Sequence, residues 1–453
     1  MSVRSWRCWS VWAAAALAVL FWLGGCRKKV QADLVIVSPH NKSIQVEFEQ
    51  AFRDWHKETH RTDVVFEWRE VGGTTLITRF LLNQYEGGAG TSGIDLYFGG
   101  GGPDHEMLAA KGLNVPVQLP EEIMAQLPQD IRGVPQYDAQ GRWYAAAVSC
   151  FGILYNRKLL DERKLPVPRT WDDLATARMY GQVSAADASQ SGSARAAYEM
   201  IVQSAPDWPA GWAKLVKIFG NCRRFTGGAS DVVRDVADGD VLAGAAIDFY
   251  AYNRMAQAKE GELAFALPAE TAAFTPDPIS MLQGAPHPAM AQRFVEFVLS
   301  ERGQSLWCLP AGTPGGPKRH TLRRQPIRRD MYTKYKGKMI EPLVDVFEVD
   351  FVLDQKAHEI RVGQLHGPLM KAAALDSREE LAKAWKVVLN AGRTPKGQQL
   401  MKEFVALPAD LADKETALAT AVKLSGDERK AREITNAWQR FFRDKYNRII
   451  EQK

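Results

Sequence analysis

The sequence predicts an α/β protein of two lobes with a helical C-terminal extension. Three observations carry this expectation. Short apolar runs alternate with helix-periodic stretches over residues 34–102, the order strand, helix, strand, helix, strand that builds a parallel sheet covered by helices. The same alternation starts afresh after residue 149, and the chain turns back near residue 268. Beyond residue 346 the pattern is helical only. The 453 residues are 46% hydrophobic and 25% charged, which is ordinary for a globular chain and excludes a mainly disordered or polytopic membrane protein. The 36 glycines and 23 prolines follow no period, which argues against collagen and simple solenoids.

Taken in order, Arg4 and Arg7 precede an apolar run over residues 8–23, the form of an export signal. The run ends Leu23-Gly24-Gly25-Cys26, which resembles a bacterial lipobox and implies cleavage after residue 25 with lipid on Cys26. The run falls short of the roughly 20 residues that cross a bilayer, so a lipid anchor is preferred to a membrane span. Residues 34–37 (LVIV) read as a buried strand, and Ser38, Pro39, His40 and Asn41 as a turn. Ile44, Phe48, Phe52 and Trp55 share one helix face. Residues 64–68 and 94–98 read as strands, with a helix opened by Gly72, Gly73, Thr74 and Thr75 between them. Residues 99–102 are four glycines. The apolar run 145–155 reads as a connection between lobes, followed by a loop capped by Thr170. Residues 183–186, 241–247, 263–267 and 276–282 read as further strands. The predicted units are a signal peptide (1–25), the first lobe (26–148, completed by 269–345), the second lobe (149–268) and the extension (346–453). Within the extension, residues 377–380 and 425–428 match capping boxes that open two of three expected helices.

The net charge is +5 at pH 7. Residues 1–25 carry +2 and residues 311–453 carry +9, so the body from 26 to 310 carries −6, which argues against a nucleic-acid partner. The five cysteines form no CxxC, which removes zinc-ribbon and thioredoxin readings, and no pairing of Cys150, Cys222 and Cys308 follows from spacing. No GxSxG elbow occurs, and the glycines at 99–102 lack the full GxGxxG spacing, which disfavours a dinucleotide there. His56 and His60 stand at i, i+4 without a third ligand, so they read as solvated helix surface. The Arg-rich run 318–329 reads as a solvated face or internal ion pairs.

The stretches IDLYFGGGGP (94–103), GILYNRKLL (152–160), PRTWDDL (168–174), ADASQSGSA (186–194) and residues 277–304 together resemble the bacterial extracellular solute-binding proteins of ABC importers. The closer match is the branch of ferric-iron, thiamine, phosphonate and sugar-phosphate receptors. The resemblance covers roughly residues 33–350 and implies a two-lobed periplasmic-binding-protein type II fold that closes on a small solute. It further implies delivery to ABC permease subunits, an extracytoplasmic location, and no enzyme activity or cofactor. The competing readings are an extracytoplasmic lipoprotein hydrolase on the same scaffold and a structural envelope lipoprotein. The resemblance gives the last hundred residues no role.

In sheets of this kind ligands gather beyond the carboxyl ends of strands. That places Ser38, His40 and Asn41, then Gly73 and Thr74, then Gly100 and Gly101 at one wall of a cleft. Ser189, Ser191, Gly192 and Ser193, with Asp248 and Tyr250, form the opposite wall, and Ser149 and Asp277 mark the crossings. The loop 189–193 is expected to precede a helix starting at Ala194, with Ser193 as its cap. Exposed amides and hydroxyls there favour an anion. Iron receptors of the branch often use adjacent tyrosines; here Ala251 separates Tyr250 from Tyr252, which argues against ferric iron, and no other metal is expected.

Overall fold

The computed structural model describes residues 32–452, apart from 89, 269–272, 341–342, 344, 349 and 355–363. The export segment and Cys26 lie outside the described residues. The elements that position the site run along the chain as follows. They begin with β1 (Leu34–Val37), α1 (Lys42–His60), β2 (Phe66–Arg69), α2 (Thr74–Glu86), β3 (Leu96–Phe98), α3 (Gly102–Ala110) and β4 (Asn114–Val115). Next come β5 (Tyr144–Ser149), β6 (Phe151–Asn156), β7 (Val183–Ala186), α4 (Gly192–Gln203), α5 (Trp208–Gly220), β8 (Cys222–Thr226) and α6 (Ala229–Ala237). Then follow β9 (Ala243–Ile247), α7 (Asp248–Met255), β10 (Leu263–Ala266), β11 (Thr275–Leu282), α8 (Pro288–Leu299) and α9 (Glu301–Cys308). The chain closes with α10 (His366–Met370), α11 (Arg378–Ala391), α12 (Pro395–Phe404), α13 (Lys414–Gly426) and α14 (Glu428–Glu451).

The first lobe is built on the sheet β2-β1-β3-β11-β4, with β5 also paired to β11. β1 runs parallel to β2 and β3, with Leu34 beside Phe66 and Ile36 beside Leu96. β11 runs antiparallel to β3, Ile279 facing Phe98. All four residues of β1 are buried, as an apolar strand covered on both faces must be. The stripe Ile44, Phe48 and Phe52 turns α1 onto this sheet, where Phe52 meets Phe66, Phe294 and Phe297 edge-on at 5.1–5.8 Å. The second lobe carries the sheet β8-β7-β9-β6-β10, parallel from β8 to β9 and antiparallel beyond.

The run 145–155 is not one connector. It is two strands that belong to different sheets, joined at Cys150. Every side chain in both is buried, so burial gave the run no periodicity by which to split it. The second crossing lies between β10 and β11.

Among its described residues the extension shows five helices where three were expected, and it packs on the second lobe. Leu369, Trp385, Phe404, Trp438 and Tyr446 share a core with Tyr198, Trp212 and Phe219 of that lobe. Neither expected capping box forms. Ser377 precedes α11 but its hydroxyl donates to the Ala372 carbonyl (3.1 Å), and Asp427, not Ser425, caps α14. Thr170 does make a capping box with Asp173. Cys150, Cys222 and Cys308 are free thiols. His56 is buried, its ring 5.6 Å from Phe52, and only His60 is exposed, so the pair is not the solvated surface the spacing implied.

Candidate functional site

A cleft runs between the lobes in two joined compartments, one of about 100 Å3 and a more polar one of about 470 Å3. Pro39, Thr74, Gly192, Ser193 and Tyr250 line both. The lobes meet across it: Arg195 of α4 lies 3.7 Å from Asp104 of α3, and a Cβ on Gly192 would stand 3.7 Å from Thr74.

Among the helices that start at this cleft are α2 and α3 from the first lobe and α4 and α6 from the second. The leading amides of a helix have no acceptor within it. At α2, α3 and α6 the capping residue is Gly73, Gly101 or Gly228, and no side chain caps the end. Glycine therefore leaves the amides of Thr74, Thr75, Gly102, Ala229 and Ser230 without a side-chain acceptor, while those of Leu76, Asp104 and Asp231 turn back to the cap carbonyls. At α4 the cap is Ser191, whose hydroxyl accepts from the Ala194 amide (3.2 Å). The helix begins two residues earlier than the expected Ala194, and Ser193 lies inside its first turn. Two sharp turns bring the glycine run to the wall. Gly99 and Gly100 hold φ of +98° and +105°, and a Cβ there would stand 2.7 Å from the His40 ring and 2.5 Å from the Tyr97 hydroxyl.

Beneath the smaller compartment lies a buried polar cluster. The Arg324 guanidinium donates from Nη1 to Asp277 Oδ2 and from Nη2 to Ser149 Oγ (2.6 Å), and lies 4.2 Å over the Phe249 ring. His40 Nε2 stands 2.8 Å from the same Asp277 oxygen. Burial drives the Asp277 carboxyl upward, but Arg324 and His40 outweigh it and hold it at about 2. The cluster ties both crossings, β5 through Ser149 and β11 through Asp277, to α7 of the second lobe. His40 Nδ1 and Arg195 Nε are buried without a hydrogen-bond partner.

The structure gathers most of the expected site on these walls: His40, Gly73, Thr74, Gly100, Gly101, Ser149, Ser189, Ser191, Gly192, Ser193, Tyr250 and Asp277. Three expected residues are placed otherwise. Asn41 caps α1, accepting from the Ile44 amide (3.1 Å), and the Ser38 hydroxyl accepts from the His40 amide. Asp248 is wholly buried behind the wall, where it accepts from the amides of Cys150 (3.2 Å) and Phe249 (2.7 Å). Burial pushes its carboxyl up to about 6 against the pull of Arg324. A short polar side chain after a strand satisfies turn backbone as readily as ligand, and sequence cannot separate the two uses.

Sequence reasoning missed Arg324, Arg195, Asp104, Phe249 and Arg79. Arg195 and Asp104 carried a usable signal, since each stands in the first turn after a loop already singled out. For Arg324 the signal was only collective, since its run reads as a solvated face or internal ion pairs and the sequence does not say which arginine pairs inside. Tyr252 packs on Phe265 (5.3 Å) rather than facing the cleft beside Tyr250. Among the described residues no cluster of three or more His, Cys, Asp or Glu has the arrangement of a metal site.

A family model described as Bacterial extracellular solute-binding protein matches residues 91–330, more than half of the chain. The phosphoglycerate transport regulatory protein PgtC of Salmonella typhimurium is 32% identical over 162 residues. That match takes in 36% of this chain and spans 40% of the length of the relative. Among solved structures, the periplasmic binding protein AfuA from Actinobacillus pleuropneumoniae, with exogenous fructose-6-phosphate bound, superposes with a TM-score of 0.57 at 17% identity, covering 78% of this chain and 97% of its own. Iron-bound HitA from Pseudomonas aeruginosa gives 0.52 at 18% identity, with coverages of 74% and 99%. At such identities the likeness shows the fold, which is the two-lobed periplasmic-binding-protein type II architecture.

Proposed function

The chain belongs to the bacterial extracellular solute-binding proteins, and we propose that it captures a small organic phosphate between its lobes and delivers it to an ABC permease. One observation carries this reading: four helix N-termini, three of them glycine-capped, converge from both lobes on one cleft. Their partial positive charges and free amides favour an anion, and no carboxylate lines the larger compartment. Arg79 adds an exposed cation there. Buried polar atoms of cleft-lining residues that lack a partner, among them His40 Nδ1, Thr75 Oγ1, Arg195 Nε and Arg324 Nε, support a polar ligand, since each costs about 1–3 kcal/mol while unsatisfied. PgtC and the fructose-6-phosphate complex of AfuA make phosphoglycerates and sugar phosphates the first candidates.

Contacts from both lobes favour the closed form by no more than the ligand's differential affinity for it. Calorimetry with 3-phosphoglycerate, fructose 6-phosphate and inorganic phosphate is expected to show saturable binding, and small-angle scattering a more compact particle. Tight binding of a polyamine with no response to any phosphate would overturn the reading. Among the described residues no helix is long and apolar enough to cross a membrane. The lipobox at 23–26 is the proposed attachment, through lipid on Cys26. Cys26→Ala should abolish acyl labelling, and a labelled, membrane-held variant would refute the anchor.

A further inference from the structure

The extension reaches the back of the solute loop. α4 starts at the cleft with Gly192, and its buried Glu199, two turns on, is 2.6 Å from His366 at the start of α10. The His366 ring also stacks on Trp212 of α5, with centroids 5.4 Å apart. The next residue, Gly367, lies against Ser189: a Cβ there would stand 3.2 Å from Ser189 Cα and 3.4 Å from its backbone nitrogen. Met370, one turn further, offers its sulfur to the Ala188 amide (3.4 Å). The helix then widens into a π turn over Lys371–Leu375, where the Tyr446 hydroxyl of α14 donates to the Ala373 carbonyl (2.9 Å). A continuous run of buried contacts thus links Ser189, on the cleft wall, to the terminal helix.

We propose that His366, Gly367 and Met370 are positioning residues, which set the place of the 187–193 loop and couple solute binding to the docking of the extension. The inference rests on the solute site proposed above but needs no particular solute. A side chain at 367 would press on the backbone of Ser189, which would have to give by a few tenths of an ångström. Coupling of this kind is reciprocal: what the extension does for the loop, an occupied loop returns to the extension.

The test uses the full chain and three variants. Gly367→Ala adds one methyl against Ser189, and Met370→Leu removes the sulfur acceptor at similar volume. Gly426→Ala, at the far end of α13 with nothing within 4 Å of the new methyl, is the control. Amide exchange of residues 187–193 without ligand is expected to quicken at least about tenfold in the first two variants and stay unchanged in the control. Binding of 3-phosphoglycerate should weaken by a similar factor, and its addition to the wild type should slow exchange over residues 366–376. Unchanged loop exchange in both variants would overturn the proposal whether or not 3-phosphoglycerate binds. If the wild type fails to bind it while loop exchange responds, the solute reading falls and the brace stands.

Discussion

Replacing Arg324 by methionine keeps the length of the side chain and removes its charge. The structure allows the consequence to be worked out. Arg324 is 1% exposed and holds Asp277, Ser149 and the Phe249 ring, so the substitution strands a buried carboxylate and a hydroxyl in the centre of the molecule. Breaking a buried pair by removing one partner costs about 3–5 kcal/mol, a figure that already includes the orphaned charge. The pH dependence follows from the same pair. In the wild type Asp277 is held near 2, below its ordinary value, so its contribution is present above about pH 4 and is lost as pH falls toward 2. In Arg324→Met burial acts without the guanidinium, the carboxyl rises above its unfolded value, and stability is gained as pH falls. The deficit should therefore be widest at pH 7 and narrower at pH 4.5. Urea unfolding at both values measures it, and adding Asp277→Asn should restore about 2–3 kcal/mol at pH 7 through the coupling of neighbours. A loss below about 1 kcal/mol at pH 7, or a deficit equal at both pH values, would refute the argument that a buried ion pair fastens the crossings.

Arg79 is exposed at the mouth of the larger compartment, so Arg79→Ala should weaken organophosphate binding about three- to tenfold, more at low salt, with an unchanged melting temperature in calorimetry. Ser191→Ala removes a helix cap and should cost about 0.5–2 kcal/mol in urea unfolding. Asp248 has a raised carboxyl near 6, so its contribution is greatest below about pH 4 and is lost as pH rises through 6. Asp248→Asn should remove roughly 3 kcal/mol of that slope between pH 4 and 7, read by the same melts, and a slope left intact would place the titration elsewhere.

Much of the fold was legible because its signals are local. The strand LVIV, the stripe of Ile44, Phe48 and Phe52, and the glycines before α2 and α3 each declare an element through composition or period. Their order implied a cleft at the carboxyl ends of the strands, which is where Thr74, Gly101, Gly192 and Tyr250 stand. The limits of local signal are equally specific. Ser38, Asn41 and Asp248 are of the right type in the right loops, yet they satisfy backbone amides, a choice made by a few ångströms of geometry. Arg324 lies in an Arg-rich run whose other members point elsewhere, and only the closing of two crossing strands over it makes it the buried partner of Asp277. The extension shows the same division. Three of its helices follow from periodicity, while its seat against Ser189 depends on contacts across more than 170 residues of chain. By itself the sequence determined the elements, their order and an anion-favouring set of helix ends. Tertiary packing decided which polar groups face solute and which face protein, because burial and pairing arise only when distant segments meet.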